Sequence, residues 1–128
     1  MKIRQEDHLL FVTASVFHEG QEISLNRVLL DTGSDKSIFS TDEVSRLGIF
    51  PDSKDILRRV AGIGGVEFVV TKQVEKLALG EIEIPGFVIQ LGAMNYGFPI
   101  QGLLGLDFLL RSAAVIDLGQ MEISGSSP

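Results

Sequence analysis

The sequence predicts an all-β domain, closed and barrel-like, with one or two short helices. Three observations carry that expectation. Fourteen glycines stand against four prolines, a turn-rich balance unlike that of a helical bundle. Strand-like runs recur at short spacing, separated by turn residues. Only two segments carry helical signals, and both are short. The chain has 128 residues, 45% hydrophobic and 22% charged. That is one domain with enough apolar material for a core, and it excludes intrinsic disorder. The length also excludes a two-lobed enzyme within one chain.

The elements follow in order. Leu9 to Phe17 is mostly β-formers, His18-Glu19-Gly20-Gln21 is a turn, and Ile23 to Leu30 runs back as a second strand. Together they read as a hairpin. Val28-Leu29-Leu30 is apolar on both faces, so that strand end should be buried on both sides. The chain breaks at Asp31-Thr32-Gly33-Ser34 and resumes as a short strand at Ser37-Ile38-Phe39. Ser40 followed by Thr41-Asp42-Glu43 is an N-cap with acidic first-turn residues, starting a short helix that ends near Gly48. Ile56 to Val60 is a strand, and Ala61-Gly62-Ile63-Gly64-Gly65 a tight, backbone-permissive turn. Val66 to Leu79 is one long strand or two with a bend. Ile82 to Leu91 is another, bent or made an edge by Pro85-Gly86. Ala93 to Gln101 is a loop, and Leu103 to Leu110 is apolar on all sides, as a buried short helix would be. Ala114 to Asp117 and Met121 to Ile123 flank a turn. The domain is expected to span 1–123, with 124–128 a flexible polar tail.

Composition narrows the function classes. Eleven basic against 17 acidic residues give a net charge of -6, which disfavours nucleic acid as a partner. There is no Cys, so disulfides, Cys-ligated zinc and thiol nucleophiles are excluded. His8 and His18 read as surface or strand-end residues, too few for a zinc site, and no metal or cofactor is expected. No run reaches the ~18 apolar residues of a membrane-spanning helix. The N-terminus carries charges of both signs and has no small-residue cleavage site, so it reads poorly as a signal peptide. A cytoplasmic protein is expected, or a segment cut from a longer precursor.

Three constellations can carry chemistry. The first is Leu29-Leu30-Asp31-Thr32-Gly33-Ser34. A carboxylate at the end of a doubly buried strand needs hydrogen bonds or a proton. Gly33 lets backbone N–H groups approach, and Thr32 and Ser34 offer short hydroxyls. An ordinary Asx turn is the plain alternative. A calcium loop starting at Asp31 fails, because Gly33 and Lys36 stand at positions three and six. The second is Ala61 to Gly65, which matches neither glycine-rich nucleotide motif. It reads as a hairpin tip, either a simple turn or a flap that closes over a ligand. The third is Leu103-Leu104-Gly105-Leu106-Asp107-Phe108-Leu109, a core helix in which Gly105 permits close packing and Asp107 can pair with Arg111 at i+4.

The order and spacing of the three resemble the retropepsins, the single-domain aspartic proteases of retroviruses, retrotransposons and some cellular proteins. The resemblance runs from Leu9 to Ile123. Gly62-Ile63-Gly64-Gly65 is similar to the retroviral flap. Leu104 to Leu109 is similar to cellular and retrotransposon members, with their Gly-x-Asp-x-Leu. The resemblance implies an acid-protease fold with a β-hairpin flap and an aspartic endopeptidase needing no cofactor. It implies that Asp31 is the catalytic carboxylate and that Thr32 hydrogen-bonds across a dimer to the partner's loop. Gly33 would donate its N–H to the carboxylate, and Ser34 would sit at the outer carboxylate oxygen. Asp35 would face substrate, and Gly62, Ile63, Gly64 and Gly65 would cover it. Gly105 would lie in the helix backing the loop. Where retroviral members carry an Arg to pair with the equivalent of Asp35, this chain has Leu106. Asp35 therefore needs another partner, or it contacts substrate backbone.

One carboxylate cannot act as base and acid at once, whereas two about 3 Å apart can share a proton. The chain has one Asp-Thr-Gly, and Asp117-Leu118-Gly119 lacks the hydroxyl and reads as structural. A homodimer acting on an extended peptide is the leading expectation. Two others remain: a catalytically silent peptide-binding or dimerisation module of the same fold, and a monomeric small-ligand barrel.

Overall fold

The computed structural model describes residues 1–62 and 65–128, with the backbone alone at 61, 62 and 65. Twelve strands and two short α-helices make up the described fold. β1 (Arg4–Glu6), β2 (Leu9–His18) and β3 (Gln21–Leu30) lead into β4 (Ile38–Ser40) and α1 (Thr41–Val44). β5 (Leu57–Gly62), β6 (Gly65–Gln73), β7 (Lys76–Leu79), β8 (Ile82–Pro85) and β9 (Val88–Gly92) follow. β10 (Gly102–Leu104), α2 (Leu106–Arg111), β11 (Val115–Asp117) and β12 (Glu122–Ser124) complete the chain.

The all-β expectation holds, but the sheet is not closed. Its strands run in the order β5-β6-β9-β4-β10-β3-β2-β7-β8, with β1 added to β2. Among the described residues, β5 and β8 are not paired with each other, so the order is an open path. The predicted strand Ile82 to Leu91 is in fact two. Gly86 turns at φ 64°, so β8 pairs with β7 while β9 pairs with β6 and β4. Leu103 to Leu110 is likewise strand then helix, since Gly105 adopts extended backbone before α2.

The first hairpin forms the centre of the core. β2 pairs with β3 on one side and β7 on the other. Val12, Ala14, Val16, Ile23, Leu25 and Val28 on it are all buried. The register shifts between Val12 and Ala14 because β3 carries an extra residue there, so its buried positions step from Ile23 and Leu25 to Val28. Each fully buried aliphatic side chain stabilises by about 1.5–3 kcal/mol. Phe87, from the β8–β9 turn, meets Phe108 of α2 edge-to-face at 5.7 Å between ring centroids, fastening α2 to the core.

Ser40 caps α1 as expected, its hydroxyl accepting from Glu43 N–H. A 3₁₀ turn (Ser45–Leu47) then ends at Gly48, which takes the left-handed conformation at φ 77°. The chain ends are held together: Ile3 N–H donates to Met121 O and Ile123 N–H to Met1 O, both at 2.9 Å. In the segment read as a tail, Ser126 N–H donates to Ser112 O at 2.8 Å, and Glu83 N–H donates to Ser127 Oγ at 2.9 Å. No helix among the described residues is long and apolar enough to cross a membrane.

Phe108 is wholly buried and joins α2 to the main core. Phe108→Ala is expected to lower the unfolding free energy by about 3–5 kcal/mol. The check is a lower urea midpoint at unchanged slope.

Candidate active site

Asp31 sits where β3 runs out. β3 lies parallel to β10, with Leu30 opposite Leu104, and Asp31 N–H extends that ladder to Leu104 O at 3.0 Å. The chain then turns. Ser34 N–H donates to Asp31 O at 3.2 Å, and Gly33 N–H donates to Asp31 Oδ1 at 2.9 Å. The Asp side chain thus organises the turn that carries it. Asp31 is half-buried, Thr32 and Gly33 are exposed, and Ser34 is buried.

β10 is inserted between β3 and β4, parallel to one and antiparallel to the other. The Asp31 loop, which connects β3 to β4, must therefore cross over the end of β10, where α2 begins. Leu106 N–H donates to Ser34 O at 2.8 Å. A β-carbon on Gly105 would lie 2.5 Å from Lys36 O and 2.8 Å from Ser34 O, both backbone atoms, so only glycine fits this crossing. The Ser37 hydroxyl donates to Asp107 Oδ1 at 2.7 Å and accepts from Gly105 N–H at 3.0 Å, while Ser37 N–H donates to Asp107 Oδ2 at 3.0 Å.

Two expectations change here. Asp107 does not pair with Arg111; it is occupied by Ser37, and the Arg111 guanidinium lies 5.6 Å from the Phe87 ring centroid. The Ser34 hydroxyl, expected at the outer oxygen of Asp31, donates to Lys36 O at 2.8 Å. Asp35 is exposed. Among the described residues, none of the cations reaches it at salt-bridge distance. β5 and β6 pair from Leu57 opposite Val70 to Gly62 opposite Gly65, which gives the hairpin read as a flap. Ile63 and Gly64, expected at its tip, lie outside the described residues.

A family model described as aspartyl protease matches residues 12–108, most of the chain, including the Asp31 loop, Gly105 and Asp107. The chain belongs to the aspartyl protease family. Its fold is that of a retropepsin-like aspartic protease from Rickettsia conorii, at TM-score 0.63 and 20% identity. The alignment covers 94% of this chain and 92% of that one. No curated protein matches the sequence.

Several contacts around the Asp31 loop and the hairpin were not picked out from the sequence. Ser37 and Asp107 lie 70 residues apart, and only the Gly-x-Asp-x-Leu pattern pointed to the helix side of that pair. Glu67 of β6 and Tyr96 of the loop after β9 carried no signal at all. The Tyr96 hydroxyl donates to Glu67 Oε2, and Met94 N–H lies 3.4 Å from Glu67 Oε1. Glu67, opposite Val60 in the outer half of the hairpin, therefore ties the hairpin to the 93–101 loop. Beneath it, Ile38, Val69, Met94 and Leu103 form a second apolar cluster, separate from the main core. Among the described residues, no group of three or more carboxylate or imidazole side chains is arranged to hold a metal.

Partial burial first, then the hydrogen bond to Glu67 and the negative charges of Glu67 and Asp31, raise the Tyr96 hydroxyl above the ordinary phenol range. The sign follows: this stabilisation is fully present below pH ~10 and is lost as pH rises through the raised folded value. Tyr96 is the one tyrosine, and the chain has no tryptophan, so its phenolate absorbance can be followed alone. It is expected to stay phenolic at pH ~10, and Glu67→Gln is expected to move its titration down. A midpoint near ~10 in both proteins would contradict this. Separately, Asp107→Ala strands the Ser37 N–H and hydroxyl. It should destabilise by about 1–3 kcal/mol in chemical denaturation.

Proposed function

We propose that this chain is an aspartic endopeptidase, active as a homodimer, with Asp31 supplying one carboxylate of the catalytic pair. The observation that carries the proposal is the setting of Asp31. It is half-buried at a strand end and oriented by Gly33 N–H. Its loop is clamped by α2 through Ser34, Ser37, Gly105 and Asp107. Such a loop presents a carboxylate with little freedom to reorient, which acid–base chemistry at a peptide bond requires.

The chemistry needs a second carboxylate. In aspartic proteases generally, two carboxylates about 3 Å apart share one proton because both cannot ionise together. The ionised one takes a proton from the attacking water as it adds to the scissile carbonyl. The protonated one hydrogen-bonds that carbonyl oxygen and stabilises the tetrahedral intermediate. The pair titrates as a unit, and the proton then passes to the leaving amine. A two-fold axis beside Asp31 brings in the second copy. Thr32, exposed beside it, then faces the partner's loop. An extended peptide lies across the axis under the β5–β6 hairpins, with Gly62 and Gly65 over it and Ser34 and Asp35 beside it. Backbone pairing of the strand-addition kind holds the peptide.

Asp31→Asn is expected to lower peptide cleavage by about 100- to 10,000-fold with an unchanged circular dichroism spectrum. Specific activity of the unmutated chain is expected to fall on dilution, in step with loss of dimer by sedimentation. Full activity in Asp31→Asn, or activity per chain independent of concentration, overturns the proposal. Peptide binding without cleavage at any pH would instead favour a silent module of the same fold.

A further inference from the structure

The loop that carries Asp31 also forms one wall of a pocket of about 620 Å³. Asp35 and Lys36 line it from the loop, Arg58 and Val60 from β5, Thr71 from β6 and Gln90 from β9. Arg58 pairs with Val69, which is buried over the second apolar cluster. Side chains of directly paired residues share a sheet face. Arg58, Val60, Glu67, Val69 and Thr71 therefore share the inward face of the hairpin, with the Glu67 carboxylate taken up by the Tyr96 hydroxyl, while Arg59 belongs to the opposite face.

Resting on the peptide-cleft reading above, we infer that this pocket selects an acidic side chain of the bound peptide, with Arg58 and Lys36 as the specificity-determining residues. Three observations support it. On the loop and the inward hairpin face the pocket's charges are Lys36 and Arg58 against Asp35, an excess of cations in a chain of net charge -6. Among the described residues, neither cation has a carboxylate within salt-bridge distance. The third is Gln90, which is 4% exposed. Its Oε1 accepts from the Thr71 hydroxyl at 2.8 Å. Its amide nitrogen makes no side-chain hydrogen bond among the described residues. A carboxylate in the pocket would meet that amide donor and the two cations together. Asp35 adds the opposite preference on the loop wall beside Lys36, so Arg58 supplies the larger part of the selection.

The experiment uses the full chain carrying Asp31→Asn, so that bound peptide is not consumed, at concentrations where it is dimeric. Otherwise identical extended peptides, each with one Glu moved stepwise along the sequence, are compared with their Gln twins by fluorescence anisotropy. At one position the Glu peptide is expected to bind about three- to fivefold more tightly, the scale of a partly exposed ion pair. That preference should shrink at high salt. Arg58→Gln is expected to abolish it and Arg58→Lys to keep most of it. Arg59→Gln removes the same charge from the other face and is expected to keep more than half. Equal binding of the twins at every position overturns this inference alone, as does an equal loss in Arg58→Gln and Arg59→Gln. Binding of neither twin at any position overturns the peptide-cleft reading, and this inference with it.

Discussion

The loop carrying Asp31 and the start of α2 approach so closely that no β-carbon fits between them at Gly105. The rest of the site follows from that contact. With two backbones this close, their polar groups have no room for water and must satisfy one another. Leu106 N–H takes Ser34 O, Gly105 N–H takes the Ser37 hydroxyl, and Asp107 takes both donors of Ser37. Asp107 also accepts from Phe108 N–H at 2.8 Å, so the residue that fixes the loop also fixes the first turn of α2. A disturbance on either side is transmitted to the other.

The strand order explains why the two backbones meet. β10 separates β3 from β4, so the chain cannot turn directly from one to the other and must pass over the end of the intervening strand. Gln101, just before β10, supports the same arrangement. Its N–H donates to Arg27 O, its side chain accepts from Arg27 N–H at 3.0 Å, and its carbonyl accepts from Ser40 N–H. Behind the crossing, Phe108 and Phe87 join α2 to the main core. The position of one surface carboxylate is thus set by packing through the whole depth of the domain.

Much of this was legible locally. The first hairpin, the Ser40 cap, the Gly48 stop and the turn at Asp31 are each written in a few adjacent residues, whose conformational preferences act over the same short range. The splits at Gly86 and Gly105 were less visible. Each apolar run looks continuous, and only the change of pairing partner, from β7 to β6 and β4 or from β3 to the loop, divides it. The Ser37–Asp107 and Glu67–Tyr96 pairs are long-range polar contacts with no periodicity to betray them. Asp107 and Arg111 have helical i, i+4 spacing, but burial beside Ser37 offers the carboxylate three donors, which outweigh one exposed guanidinium.

The division of polar groups within the loop bears on its proposed chemistry. Those turned inward, on Ser34, Ser37 and Asp107, have partners in the same chain. Those at the outer end are different. Thr32 is exposed, and its hydroxyl makes no hydrogen bond among the described residues. Asp31 uses one carboxylate oxygen for Gly33, while its other oxygen accepts no hydrogen bond among them. A loop with spare polar groups on all sides would be expected to reorganise when a partner arrives. Here the inner half is already satisfied, so in the proposed dimer little ordering entropy is lost when the two loops meet. A shared proton between two carboxylates depends steeply on their separation. A pair of loops already rigid in each monomer can set that separation by docking alone.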